Sequence, residues 1–230
     1  MLSDPVRTDP VRWNWLAALA DTGWAVAYDV VPLQLARDLL AEAQQLHGEK
    51  MLTIAGVGRA DDYQQDRSIR RDKIRWLNAR STPQAAYLDI METVRLAVNR
   101  ALFMGLFSYE SHYAVYEPGA FYARHRDAFK GARNRVLSTV FYLNEDWKTG
   151  EGDLDDGGAL AIFSDDEALV PIIMVPPEMG TLALFLSEDI PHEVLSARRD
   201  RYSIAGWFRV NDRLGAPSLQ APVLPGTLPL

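Results

Sequence analysis

The sequence predicts a mainly β fold of the α+β class, an eight-strand barrel or sandwich with helices packed on the outside of one sheet. Three observations carry this. Before Gly105, apolar residues recur at helical spacing in two long stretches. After Gly105, short strand-like runs follow one another, separated by glycines, prolines and acidic clusters, as an all-β region requires. The chain has 230 residues, 48% hydrophobic and 24% charged, which fits one domain with a sizeable core.

Taken in order, residues 1–9 are a loose polar arm. Asp9-Pro10 reads as an N-cap followed by proline at the first helical position, starting a short helix that runs to Asp21 and is ended by Gly23. Trp24 to Val30 reads as a strand. Pro32 opens an amphipathic helix with Leu33, Ala36, Leu39, Leu40, Ala43 and Leu46 on one face, and Gly48 closes it. Residues 55–68 are polar with two glycines and form a long exposed loop. Ile69 to Leu77 returns as a strand, and Thr82-Pro83 starts the longest helix, with Leu88, Met91, Val94, Val98 and Leu102 facing inward. Strands are then expected near 107–116, 121–127, 135–143, 158–163, 169–175, 180–187, 191–195 and 202–210. The domain occupies residues 1–213, and the Pro-, Gly- and Leu-rich tail 214–230 trails over its surface.

Composition excludes several classes of chemistry. The absence of cysteine removes disulfides, thiolate zinc sites and cysteine-ligated iron–sulfur clusters. A formal net charge of −7 argues against nucleic acid as a partner. No apolar run approaches the length of a membrane span, and the first residues carry no apolar signal segment, so a cytoplasmic location is expected.

Four histidines are present: His47, His112, His125 and His192. In a strand, residues i and i+2 point to the same side, so His125 and Asp127 project together. His192 follows 65 residues after Asp127, at the edge of another short strand. Two imidazoles and one carboxylate make the facial ligand set that suits iron(II) and leaves three coordination positions open. Arg201 comes nine residues after His192, and a planar guanidinium there suits bidentate capture of a carboxylate, such as the distal one of a 2-oxo acid. Alone, each piece reads as an ordinary surface or turn residue. Order and spacing together are far more specific. The basic run Arg67, Arg70, Arg71, Lys73, Arg75 reads either as a solvated face or as a surface that meets an acidic substrate. His112 is given no role.

Longer stretches carry a resemblance: Ile69 to Trp76 (IRRDKIRW), Tyr116-Glu117-Pro118-Gly119, Tyr122 to Asp127 (YARHRD), Phe141 to Trp147 (FYLNEDW), Gly157 to Phe163 (GGALAIF), Pro191 to Val194 and Arg201 to Trp207. Over about residues 24–212 the sequence resembles the prolyl 4-hydroxylase-like iron(II)- and 2-oxoglutarate-dependent oxygenases, close to the oxygen-sensing prolyl hydroxylases of animals and their bacterial relatives. The resemblance implies a jelly-roll, or double-stranded β-helix, core over residues 107–210 with N-terminal helices on one sheet. It implies a dioxygenase that takes iron(II), 2-oxoglutarate and O2, with ascorbate as a possible reductant, and that hydroxylates a prolyl residue of a protein at the 4-position, releasing succinate and CO2.

By position, the resemblance makes His125, Asp127 and His192 the catalytic metal ligands. Arg201 and Tyr142 hold the distal carboxylate, Tyr116 lines the co-substrate pocket near its metal end, and Leu160 forms its wall. Tyr122, Trp207, Arg71 and Asp72 fall on the substrate side, Asp72 forming a pair with Arg135 that sets a loop against the barrel. The 55–68 loop becomes a finger that closes over the polypeptide. Two departures stand out. The Tyr116–His125 segment is one residue shorter than in the animal enzymes, and residues 150–156 form an acidic insert. The alternatives are the same cofactors with a small-molecule or other amino-acid substrate, and a non-catalytic sensor that binds iron and 2-oxoglutarate.

Overall fold

The computed structural model describes residues 13–56, 68–128, 134–150 and 155–210. The expected arm, most of the 55–68 loop, the core of the acidic insert and the C-terminal tail lie outside them.

Three helices come first. Helix α1 (Trp15–Thr22) ends at Gly23, whose φ of 78° lets its N–H turn back to the Leu19 carbonyl. Helix α2 (Leu33–Gly48) begins after Pro32, and Gly48 is its last residue rather than its terminator, the chain turning at Lys50 with φ 56°. Helix α3 (Thr82–Leu102) starts where Ser81 accepts from the Gln84 N–H, with proline in the first turn. Between them lie β1 (Trp24–Ala27), β2 (Thr53–Ile54) and β3 (Lys73–Trp76). β1 is shorter than the expected 24–30, because Asp29 takes φ 59° and leaves the strand. β2 has no counterpart in the expected elements.

The eight remaining strands fall where the runs predict them: β4 (Ser108–Tyr116), β5 (Tyr122–His125), β6 (Arg135–Tyr142), β7 (Leu160–Ile162), β8 (Ile173–Val175), β9 (Leu182–Leu186), β10 (His192–Val194) and β11 (Arg201–Arg209). They build two sheets, of order β1-β9-β6-β11-β4-β3-β2 and β5-β10-β7-β8, and every pairing between these strands is antiparallel. The core strands cross repeatedly from one sheet to the other, which is the jelly-roll winding. The N-terminal strands extend the larger sheet at both edges.

Alternation along the strands divides the interior in two. Tyr113, Val115, Leu137, Phe141, Leu182, Leu184, Ile204 and Phe208 face outward and are buried under the helices with Leu39, Met91, Val94 and Val98. Their neighbours Ala114, Tyr116, Tyr142, Ala183 and Phe185 face inward against Leu160, Ile162 and Val175 of the smaller sheet. The helical layer thus stiffens one sheet from behind and leaves its front free to line a cavity. Gly206 shows how closely the outer face packs: a Cβ there would lie 2.1 Å from the Tyr109 hydroxyl, which crosses the strand to reach Thr139 at 2.9 Å. Among the described residues, no helix is long and apolar enough to cross a membrane.

Candidate active site

β5 and β10 pair so that His125 lies opposite His192, and Asp127 follows at the end of β5. The three side chains offer ligand atoms that all lie within 4.8 Å of one another. Nε2 of His125 is 3.5 Å from one Asp127 oxygen and Nε2 of His192 is 3.8 Å from the other. Each imidazole is oriented by its own backbone: His125 Nδ1 donates to the Ala123 carbonyl at 2.8 Å, and His192 Nδ1 donates to the Ile190 carbonyl at 3.1 Å. A carbonyl only accepts, so both rings carry the proton on Nδ1 and present the Nε2 lone pair to the centre. Tyr122 stacks on His125 at 3.5 Å and 14°, fixing its plane.

The electrostatics favour a cation. Burial works to raise the Asp127 carboxyl, but its attraction to the two imidazoles in their protonated form and the Ser138 hydroxyl that donates to it outweigh burial and hold it well below the usual carboxylate range, so it is an anion ready to meet a cation. Burial pushes His192 down to about 4, so it is neutral and able to ligate at physiological pH. Ser138 Oγ donates to Asp127 at 2.6 Å and also meets Ser187 Oγ at 2.8 Å. Replacing Ser138 with alanine is expected to weaken metal affinity by about 10- to 100-fold, as loss of such supporting groups does, and metal titration followed by calorimetry reads it directly. An unchanged affinity would mean the hydroxyl does not orient the carboxylate.

The cavity runs from this triad to Arg201, past Leu160, Phe185 and Val194. Arg201 is only 1% exposed, unusual for a guanidinium. Its Nε donates to the Gly158 carbonyl at 2.7 Å and its Nη1 to Ser203 Oγ at 3.3 Å. Gly158 is required there, because at φ +70° a Cβ would lie 3.1 Å from Arg201 Cδ and 2.9 Å from Ala197 Cβ. Arg201 Nη2 and the Tyr142 hydroxyl are buried with no partner. Tyr142 is pushed up to about 12, by burial against the opposing pull of Arg201, so it stays a neutral donor. Two orphan donors at the end of a cavity fit a carboxylate, and the N2O set at the other end fits iron(II) with positions left for a chelating 2-oxo acid.

Tyr116 lies opposite Arg201 in register, with the guanidinium 4.9 Å from its ring, and lines the same cavity. Other expected residues are placed differently. Asp72 is fully buried and pairs with Arg70 at 2.5 and 2.8 Å, whereas Arg135 pairs with Glu110 at 2.8 Å and stacks on Trp207. The expected Asp72–Arg135 pair is therefore replaced by two separate pairs. Arg71 points away from Asp72 and lies over Phe121, exposed. Trp207 is in the cavity wall. Sequence reasoning missed Arg70, Ser138 and His112, all close to the site. Alternation was the available signal for Arg70, since it shares a face with Asp72 while Arg71 does not.

His112 is 2% exposed and is pushed down to about 4 by burial and by the nearby Arg70 and Arg135 charges. A histidine that binds its proton less readily when folded than its unfolded pKa of about 6.5 makes the unfolded chain the stronger proton binder in that window. Stability of the metal-free protein is thus expected to fall as pH drops from about 6.5 toward about 4, by up to ~3 kcal/mol from this residue alone. Denaturant midpoints across that range check it, and a flat profile would contradict it.

Comparison with known proteins gives a consistent picture. The profile of the 2OG-Fe(II) oxygenase superfamily matches residues 111–209. The chain is similar to a prolyl-4-hydroxylase from Pseudomonas putida, with 39% identity and a TM-score of 0.75 over 85% of this chain and 97% of that one. It is 28% identical to human Egl nine homolog 1 over 182 residues, covering 73% of this chain, but spans only 41% of that protein. A Trichoplax adhaerens prolyl hydroxylase solved with a hypoxia inducible factor peptide shares the fold, at 22% identity and a TM-score of 0.71, over 85% of this chain and 87% of that one.

Proposed function

Since the chain belongs to the 2OG-Fe(II) oxygenase superfamily, we propose that it hydroxylates a prolyl residue of a polypeptide at C4, converting 2-oxoglutarate and O2 to succinate and CO2. The observation that carries the reaction is one cavity with the His125–Asp127–His192 ligand set at one end and the unpartnered donors of Arg201 and Tyr142 at the other. The prolyl substrate is supported by the 39% identity to the Pseudomonas prolyl-4-hydroxylase over nearly the whole domain.

Iron(II) chelated by 2-oxoglutarate supplies the oxidising chemistry when bound. The residues of this chain do the rest. His125, Asp127 and His192 would hold the metal. Arg201 and Tyr142 would take the distal carboxylate, so that the 2-oxo end faces the triad. Leu160, Phe185 and Val194 exclude water around the reacting carbon. The balance is one O2 split between succinate and the new hydroxyl, with CO2 released from C1 of the co-substrate.

The test is 2-oxoglutarate turnover by purified protein with iron(II), ascorbate and O2, in the presence of proline-containing peptides, followed by mass analysis of the peptide. Succinate formed in proportion to peptide that gains one oxygen on proline is the expected result. Turnover that rises only with a free small molecule would move the substrate reading. Binding of both cofactors with no succinate under any addition would favour a sensor.

A further inference from the structure

The registers of β4, β11 and β6 divide the inward face of the larger sheet into layers. Deepest are Tyr116 and Arg201. Next come Ala114, Ser203 and Tyr142, then His112, Ala205 and Val140, and at the far end Glu110, Trp207 and Ser138, where Ser138 touches Asp127. His112 thus stands between the donors that fit the co-substrate and the layer that supports the metal. It is the one polar side chain of its layer, and it lines the cavity. Its ring is held edge-on by Trp76 at 5.1 Å and against Trp207 at 5.4 Å.

His112 Nδ1 lies 3.1 Å from the Tyr113 carbonyl, so that nitrogen donates and the proton is committed there. Nε2 is left as an acceptor, and among the described residues no donor reaches it. Burial and the flanking arginines keep the ring neutral. A lone-pair acceptor repels a carboxylate, so this atom does not serve the co-substrate. It calls for a hydrogen-bond donor. Beside it, Trp207 Nε1 is buried with no acceptor. One donor and one acceptor missing from the same wall are the complement of a secondary amide. The amide preceding a proline is tertiary and has no N–H, whereas the amide following it has both groups.

Building on the prolyl reading above, we infer that His112 Nε2 accepts the backbone N–H of the residue that follows the target proline, while Trp207 Nε1 donates to the carbonyl of the proline itself. His112 is then a positioning residue for substrate: it fixes the ring carbon relative to the metal through the adjacent peptide group. It also selects for a peptide continuing beyond the proline and against a C-terminal or free proline.

The test uses a peptide that the wild-type enzyme hydroxylates and its ester analogue, in which the amide after the proline is replaced by an ester and the N–H is lost. Affinity is measured by calorimetry on the manganese-loaded, oxygen-free protein with 2-oxoglutarate, and KM for peptide and co-substrate is measured separately. Wild type is expected to bind the amide about tenfold more tightly than the ester, the scale of one lost hydrogen bond in a closed site. His112→Phe should bind the two alike, with KM for the peptide raised about tenfold and KM for 2-oxoglutarate within about twofold. His112→Gln, which offers an oxygen near the Nε2 position, should recover part of the discrimination. A wild type that treats amide and ester equally, or a His112→Phe variant that still discriminates, overturns the assignment alone. A wild type that hydroxylates no prolyl peptide overturns the proposed function, and this assignment with it.

Discussion

Replacing His125 with alanine is expected to lower peptide-coupled succinate formation by more than about a hundredfold. The imidazole is one of only three ligand groups brought together in the described residues, and its Nε2 is aimed at the centre by the Ala123 carbonyl and the Tyr122 stack. Loss of a supporting group around a metal typically costs 10- to 100-fold, so loss of a ligand should exceed it. The substitution removes little from the core, because His125 is only partly buried at the end of a four-residue strand, and the fold should persist. Circular dichroism and metal content measured beside activity separate the two effects. A folded variant retaining a tenth of wild-type turnover would mean that the metal sits elsewhere.

The second large effect is expected at Arg201. Arg201→Lys keeps the positive charge but loses the planar fork. The Gly158 carbonyl and Ser203 hydroxyl lose the Nε and Nη1 donors, and the orphan Nη2 disappears. Charge-assisted hydrogen bonds contribute roughly 1.5–3 kcal/mol each, so KM for 2-oxoglutarate should rise about a hundredfold, while peptide affinity changes far less. A KM within about twofold of wild type would show that the distal carboxylate is not held there.

The legible part of this molecule is the part encoded by period and spacing. The eight core strands announce themselves by short apolar runs between turn residues: β4 to β10 fall inside the expected windows, and β11 begins one residue ahead of its own. His-x-Asp at the end of one strand is a same-side pair by alternation alone, and the pairing of β5 with β10 brings His192 to it. Partners chosen in three dimensions were not legible. Asp72 could pair with any nearby arginine, and only the fold shows it taking Arg70, leaving Arg135 to Glu110 and Trp207. That Tyr116 faces Arg201 depends on the offset between β4 and β11, a nine-residue register that no local pattern specifies. β2 is two residues long and has no period to read. Ser138 and His112 belong to strands whose inward faces were expected, but the importance of a single hydroxyl or imidazole appears only when its neighbours are known.

The central claim, that this cavity couples 2-oxoglutarate oxidation to prolyl hydroxylation, is tested most directly by tracing oxygen. Turnover under isotopically labelled O2 in unlabelled water should place one labelled atom in succinate and one on C4 of proline in the peptide. Labelled succinate with an unmodified peptide, or a hydroxyl whose oxygen comes entirely from water, would contradict it.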